Sequence, residues 1–190
     1  MDRREAQKSR HRLIVLVLAA IAVLVSVAVA AADQQPANRT YHSQQFGWSI
    51  TVPSDWVVDD RQPTDVSFKT GDPTQVLLQI HVAKVKGDNL EFLVDQVVSF
   101  RAKLFLAAGK PYTLISRTSG KLDDGTPFEE IEERIGTGVV GHARLRFFLL
   151  GHTAEAVDAK SFETVWAVIS DSLDQIIGSF RPNDAPAGGS

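Results

Sequence analysis

Gly136-Thr137-Gly138-Val139-Val140-Gly141 matches the dinucleotide fingerprint G-x-G-x-x-G letter for letter. That fingerprint works only after a strand and at the opening of a helix, where phosphate meets the unpaired N–H groups of the helix N-terminus. Here the next residues, Arg144-Leu145-Arg146-Phe147-Phe148, read as a strand. The glycines are therefore expected to close a hairpin, and no nucleotide is expected. The histidines beyond His11 are His42, His81, His142 and His152, and none stands two or four residues from another. No local metal pair exists, although His81, His142 and His152 lie in or beside strands and could meet through the fold.

Glu129-Glu130-Ile131-Glu132-Glu133-Arg134 lacks the glycine and the alternating oxygen ligands of a calcium loop. Across a hairpin closed by the glycines, Glu132 is expected to face Arg146, which makes the run a ladder of cross-strand ion pairs. Glu133 falls on the apolar side with Leu145, and its partner is not readable. No G-x-S-x-G occurs, and no serine has a histidine and an acid near it in sequence. Trp48 and Trp166 sit on core faces, so with Trp56 they read as packing more than as a ligand site. No catalytic, cofactor-binding or metal-ligating residue is assigned, no cofactor is expected, and the chain reads as a non-enzyme.

The elements that would position these residues follow from periodicity. Phe46, Trp48, Ile50 and Val52 alternate on one face of a strand that Pro53 stops. Trp56-Val57-Val58 resumes apolar before an Asp59–Pro63 loop. Val66–Phe68 is a short strand ended by Gly71-Asp72-Pro73, and Gln75–Val85 a longer one. Asp88–Ala108 changes to three- and four-residue spacing, with Leu90, Val94, Val97, Val98, Arg101, Leu104 and Phe105 on one stripe. Asp88 suits its N-cap, and Gly109 with Pro111 its end. Strands follow at Tyr112–Leu122, Pro127–Ile135 and His142–Leu150, the first two joined by the Asp123-Asp124-Gly125 turn. Asp158–Gly178 reads as a closing helix. Consecutive apolar residues at Val76-Leu77-Leu78 and Phe147-Phe148-Leu149-Leu150 require cover on both faces. The expectation is an α+β fold: a mostly antiparallel sheet with a helix on each face.

Leu13–Ala32 is a run of twenty residues without a charge, long enough at about 1.5 Å per residue to cross a bilayer. Arg3, Arg4, Lys8, Arg10 and Arg12 precede it, so residues 1–12 are expected to stay cytoplasmic and the rest to be exported. Ala28-Val29-Ala30 and Ala30-Ala31-Ala32 also fit a signal-peptidase site, so cleavage and secretion is the alternative to a retained anchor. The chain carries a formal net charge of −3, with five basic against two acidic side chains in the first twelve residues, so the remainder is at −6. An acidic exported domain argues against nucleic acid. There is no cysteine, hence no disulfide framework and no lipoprotein attachment site. Residues 33–39 read as a linker, Thr40–Arg181 as one domain, and Pro182–Ser190 as a disordered tail.

Tyr41–Trp56, with Phe46-Gly47-Trp48-Ser49-Ile50 running into Pro53-Ser54-Asp55-Trp56, resembles the opening of PsbP-like (DcrB-like) exported domains. The ending Ile176-Ile177-Gly178-Ser179-Phe180 resembles their closing helix. The resemblance spans Thr40–Phe180 and implies an α/β/α sandwich whose members act mostly as binding or assembly modules. It implies no catalytic or metal-binding residues here. The expected function is binding to a membrane-associated protein complex from a membrane tether. A carrier or sensor of a small apolar ligand or lipid is the alternative, and a hydrolase with a spatially assembled site a further one.

Overall fold

Trp48, Ile50 and Val52 are fully buried and Phe46 packs on the same core, as their alternation requires. In the computed structural model, which describes residues 37–71 and 76–182, they lie on or just before β2 (Ser49–Pro53). Its antiparallel partner is β1 (Asn38–His42). Asn38 and Arg39, read as linker, are paired backbone. Only Tyr41 of β1 touches the core, so backbone pairing holds this strand and leaves no hydrophobic period to read. The basic end 1–12, the apolar run Leu13–Ala32, residues 33–36, the turn and strand start at 72–75 and the tail from 183 onward lie outside the described residues.

The remaining elements are β3 (Val57–Asp59), β4 (Asp65–Lys69), β5 (Val76–Lys84), α1 (Leu90–Ala107), β6 (Tyr112–Lys121), β7 (Pro127–Ile135), β8 (Gly141–Leu150), β9 (Thr153–Phe162) and α2 (Glu163–Gly178). Strands β3 to β9 form one antiparallel sheet in the order β3-β4-β5-β9-β8-β7-β6. The main departure from expectation is β9. Its Thr-Ala-Glu-Ala-Val-Asp-Ala-Lys stretch is rich in strong helix formers. Tertiary pairing overrides that preference, because the segment lies at the centre of the sheet between β5 and β8. The closing helix accordingly starts at Glu163 instead of Asp158. At α1 the N-cap is Asn89, not Asp88: its Oδ1 accepts the Phe92 N–H at 2.8 Å.

A helix covers each face, but unequally. On one face α2 and the β1–β2 hairpin enclose the larger core, with Trp48, Phe68, Phe148, Trp166, Ile177 and Phe180 inside. On the other, α1 packs over β6, β7 and β8, burying Val94 against Ile131, Ala143, Leu145 and Phe147. Adjacent Phe147 and Phe148 thus point into different cores, the arrangement expected of a two-sided strand. Among the described residues no helix lies above the β9–β5–β4 end of the α1 face. Nor is the whole stripe of α1 buried, since Leu104 is 51% exposed; off the stripe, Phe92, Phe100 and Leu106 are 58%, 65% and 74% exposed.

The glycine run is a hairpin loop between β7 and β8, with Gly136 and Gly138 at φ of +97° and +78°. The pairing is offset from expectation by two residues: Glu132 faces Arg144, and Glu130 faces Arg146. A two-residue offset keeps every side chain on its face, so the inferred inward and outward sets survive.

Candidate functional site

The uncovered part of the α1 face is a groove. Its volume is about 270 Å³, and its walls are Leu93 and Val97 of α1, Leu145 and Phe147 of β8, Ala83, Ala154 and Ala156 of β5 and β9, and Val85 just past β5. A second cleft of about 260 Å³ follows α1 toward its N-terminus and shares Val85 and Leu93 with the first. The three alanines make the depth: larger side chains on this sheet face would fill it. One end is polar, formed by Arg101, His81 and Asp158.

Arg101 projects from the apolar stripe of α1 onto Glu133, the carboxylate whose partner the sequence leaves unread. Its Nε donates to both Glu133 oxygens at 3.0 Å, Nη2 makes a further short contact, and Glu133 is fully buried. The guanidinium also lies 5.5 Å from the centre of the Phe105 ring, which stacks on Tyr112. Burial first, then the neighbouring Glu133 charge, pushes the Tyr112 hydroxyl well above its ordinary pKa.

Asp158 on β9 is 1% exposed. Its Oδ2 lies 2.8 Å from Lys160 Nζ and 3.8 Å from both Arg101 Nη1 and His81 Nε2. Lys160 is thus the direct partner of Oδ2, with Arg101 and His81 as more distant charges. Oδ1, equally buried, has no hydrogen-bond donor among the described residues. Burial alone would raise the Asp158 carboxyl; His81, Lys160 and Arg101 outweigh it and hold the group below the usual carboxylate range. His81 in turn bonds Asp65 through Nδ1 at 2.5 Å. Asp158 and then Asp65 raise the imidazole pKa against the opposing effect of burial.

The other charged cluster lies on the α2 face. Each ring nitrogen of His142 is 2.6 Å from a carboxylate, Nδ1 from Glu163 and Nε2 from Glu132, so both bonds are made when both nitrogens carry protons. The ring stacks on Trp166 at 4.0 Å. Arg134 binds Glu163 at 2.7 Å, and Arg144 binds Glu132 at 3.1 Å and also Asp174. These contacts tie α2 at both ends to β7 and β8, which is a structural role. Burial opposes the charge on Glu132, but His142 and Arg144 outweigh it and keep its carboxyl low.

The acidic run thus resolves into ion pairs on alternating faces: Glu129 with Arg117, Glu130 with Arg146, Glu132 with His142 and Arg144, and Glu133 with Arg101. His81 and His142 lie on opposite faces of the sheet and do not meet. Among the described residues no group of three His, Asp or Glu side chains is placed to hold a metal ion. The groove lining contains no Ser, Thr, Tyr or Lys side chain to act as a nucleophile. What the groove offers is apolar contact with one polar, buried end, a composition suited to recognition.

No protein-family model matches the chain, and no curated protein matches it. Solved structures do. Cyanobacterial PsbP (CyanoP) of Synechocystis superposes with a TM-score of 0.65 at 18% identity, over 79% of this chain and 95% of that one. The Ran-binding protein Mog1p of Saccharomyces cerevisiae gives 0.53 at 9% identity, over 79% and 97%. LpqN of Mycobacterium tuberculosis, described as involved in cell envelope biogenesis, gives 0.52 at 13% identity, over 81% and 95%. Likeness at such low identity carries the fold alone. The nine strands and two helices described above form a domain with the PsbP-like fold.

Proposed function

We propose that this protein is a non-enzymatic accessory module, tethered to the extracytoplasmic side of a membrane by Leu13–Ala32, which docks on a protein complex of that membrane. The single observation that carries the reading is the outer surface of α1. Phe100, Leu104 and Leu106 stand more than half exposed on a helix whose inner side is already packed. Leu106 lies on the flank of α1 that faces β6, as Asp95 does, and β6 is an edge strand with Leu114 and Ile115 exposed at a bulge; Phe100 and Leu104 lie on the opposite flank. Apolar side chains beside an unpaired edge are what a protein partner covers.

The tether supports a partner in the same membrane over one in solution. Between Ala32 and β1 lie residues 33–37, five in number, which even fully extended reach only about 17 Å. A domain so held meets membrane proteins at a raised effective concentration. The test replaces Met1–Ala32 with a cleavable signal peptide and compares crosslinking of released and native chains at matched exported levels. The expected result is a large loss of crosslinked partner on release; equal efficiency contradicts the tethered reading. Likeness to Mog1p and PsbP supports a protein partner only by analogy of fold. The carrier reading is favoured by a different feature, the groove beside α1.

A further inference from the structure

We infer that the groove beside α1 binds a neutral amphiphile, with its apolar chain along Leu93, Val97 and Ala156 and a hydroxyl-bearing head at Asp158. This does not rest on the docking reading, because Asp158 and the volume of the groove, which carry it, do not enter that reading. Three observations carry it. The space is that of a short chain: at roughly 30 Å³ per water-sized group, a cavity of about 270 Å³ holds about nine non-hydrogen atoms. The second cleft continues past Val85 and Leu93, so a longer chain has somewhere to run. Finally, Asp158 faces the groove 99% buried, with Oδ2 held by Lys160 at 2.8 Å and Oδ1 without a hydrogen-bond donor among the described residues. A buried acceptor left unfilled is costly, and a ligand donor placed there removes the cost.

The head is neutral because the local charges are already matched. Arg101 is committed to Glu133, Lys160 to Asp158 and Gln79, and His81 to Asp65. A carboxylate or ammonium head would enter a buried site with no counter-charge left for it, and its desolvation would go uncompensated. A hydroxyl donates to Asp158 and can accept from the neighbouring cations without adding charge.

The test uses the full chain in phosphatidylcholine nanodiscs, photolabelled with an octyl glucoside that carries a diazirine at the chain end, below its micelle concentration. Labelled residues are mapped by mass spectrometry. The expected result is label on the peptides of α1 and β9 that contain Val97 and Ala156. Unlabelled octyl glucoside should suppress it at concentrations at least tenfold below those needed with octanoate or octylammonium. Label found only in the Leu13–Ala32 peptide overturns the site, and equal suppression by either charged competitor overturns the neutral head. Ala156→Trp, which fills the groove, should reduce groove labelling at least tenfold. Should near-UV circular dichroism show that variant unfolded, Ala83→Trp on the exposed β5 wall serves the same purpose. Undiminished labelling in the folded variant overturns the proposal.

Discussion

Arg101→Met isolates Glu133. The carboxylate is fully exposed to the consequences, because it is fully buried and the Arg101 side chain above it is only 16% exposed. The arginine supplies two donors at 3.0 Å and a third, shorter contact, so its loss leaves a buried charge with no cation on it. Breaking a buried pair from one side costs about 3–5 kcal/mol. Methionine keeps much of the aliphatic stem that packs along α1, so little of this comes from lost packing. For a domain of this size each kcal/mol moves Tm by about 2–4 °C, so the variant should melt roughly 6–20 °C lower. The double replacement Arg101→Met with Glu133→Met removes both charges, and apolar substitution of a whole buried pair is often neutral or stabilising. The double variant should therefore be more stable than the single one, a coupling of about 2–4 kcal/mol. Urea unfolding followed by near-UV circular dichroism measures all three proteins. A single-variant cost under about 1 kcal/mol, or costs that add in the double variant, would refute the view that this pair is a matched, desolvated unit.

Glu155 is 2% exposed with Oε2 unbonded, and burial pushes its carboxyl from 4.5 up to about 7. A raised acid stabilises the fold fully below its unfolded pKa and loses that contribution as pH rises through about 7, a change of about 3 kcal/mol. Glu155→Gln should flatten this slope and raise the urea midpoint at pH 8 but not at pH 4; an unchanged slope rejects the assignment. In the glycine hairpin, Gly138→Ala meets open space at φ +78° and should cost about 1 kcal/mol, whereas at Gly136 the new Cβ also meets Val139 O at 3.1 Å and should cost more. Neither variant should alter nucleotide binding, because none is expected; saturable NAD binding at micromolar concentration would contradict the hairpin reading. A fragment Asn38–Pro182 should unfold cooperatively, and removing Asn38–His42 from it should lower its midpoint, since β1 closes the edge of β2.

Periodicity located what local sequence controls. The inner part of the α1 stripe, the Phe46–Val52 alternation and the two-sided β8 strand fold as read, and the fold is PsbP-like. Arg101 on an apolar stripe and Glu133 on an apolar strand face are each misfits alone. They explain one another only through a pairing across 32 residues that no local pattern contains. Strand β9 was hidden because its alanines favour a helix while its place at the sheet centre, flanked by β5 and β8, decides the outcome. The groove was hidden for a related reason. Ala154 and Ala156 show that nothing large projects there, but only the offset of α1 toward β6 shows that no other described element covers them. The same offset leaves Phe100 and Leu104 outward, although spacing alone assigns Leu104 to the buried stripe.

The claim that the outer face of α1 is the docking surface is tested most directly by position-specific crosslinking in intact membranes. A photoreactive phenylalanine analogue is placed at Phe100 in one chain and at Val168 of α2, still more solvent-exposed and on the opposite side of the sheet, in another. Phe100 should yield a discrete adduct with an integral or membrane-bound protein. That adduct should disappear when Leu104 and Leu106 are both replaced by Ser, and Val168 should yield none. The same adduct from both positions, or one from Val168 alone, would contradict the account.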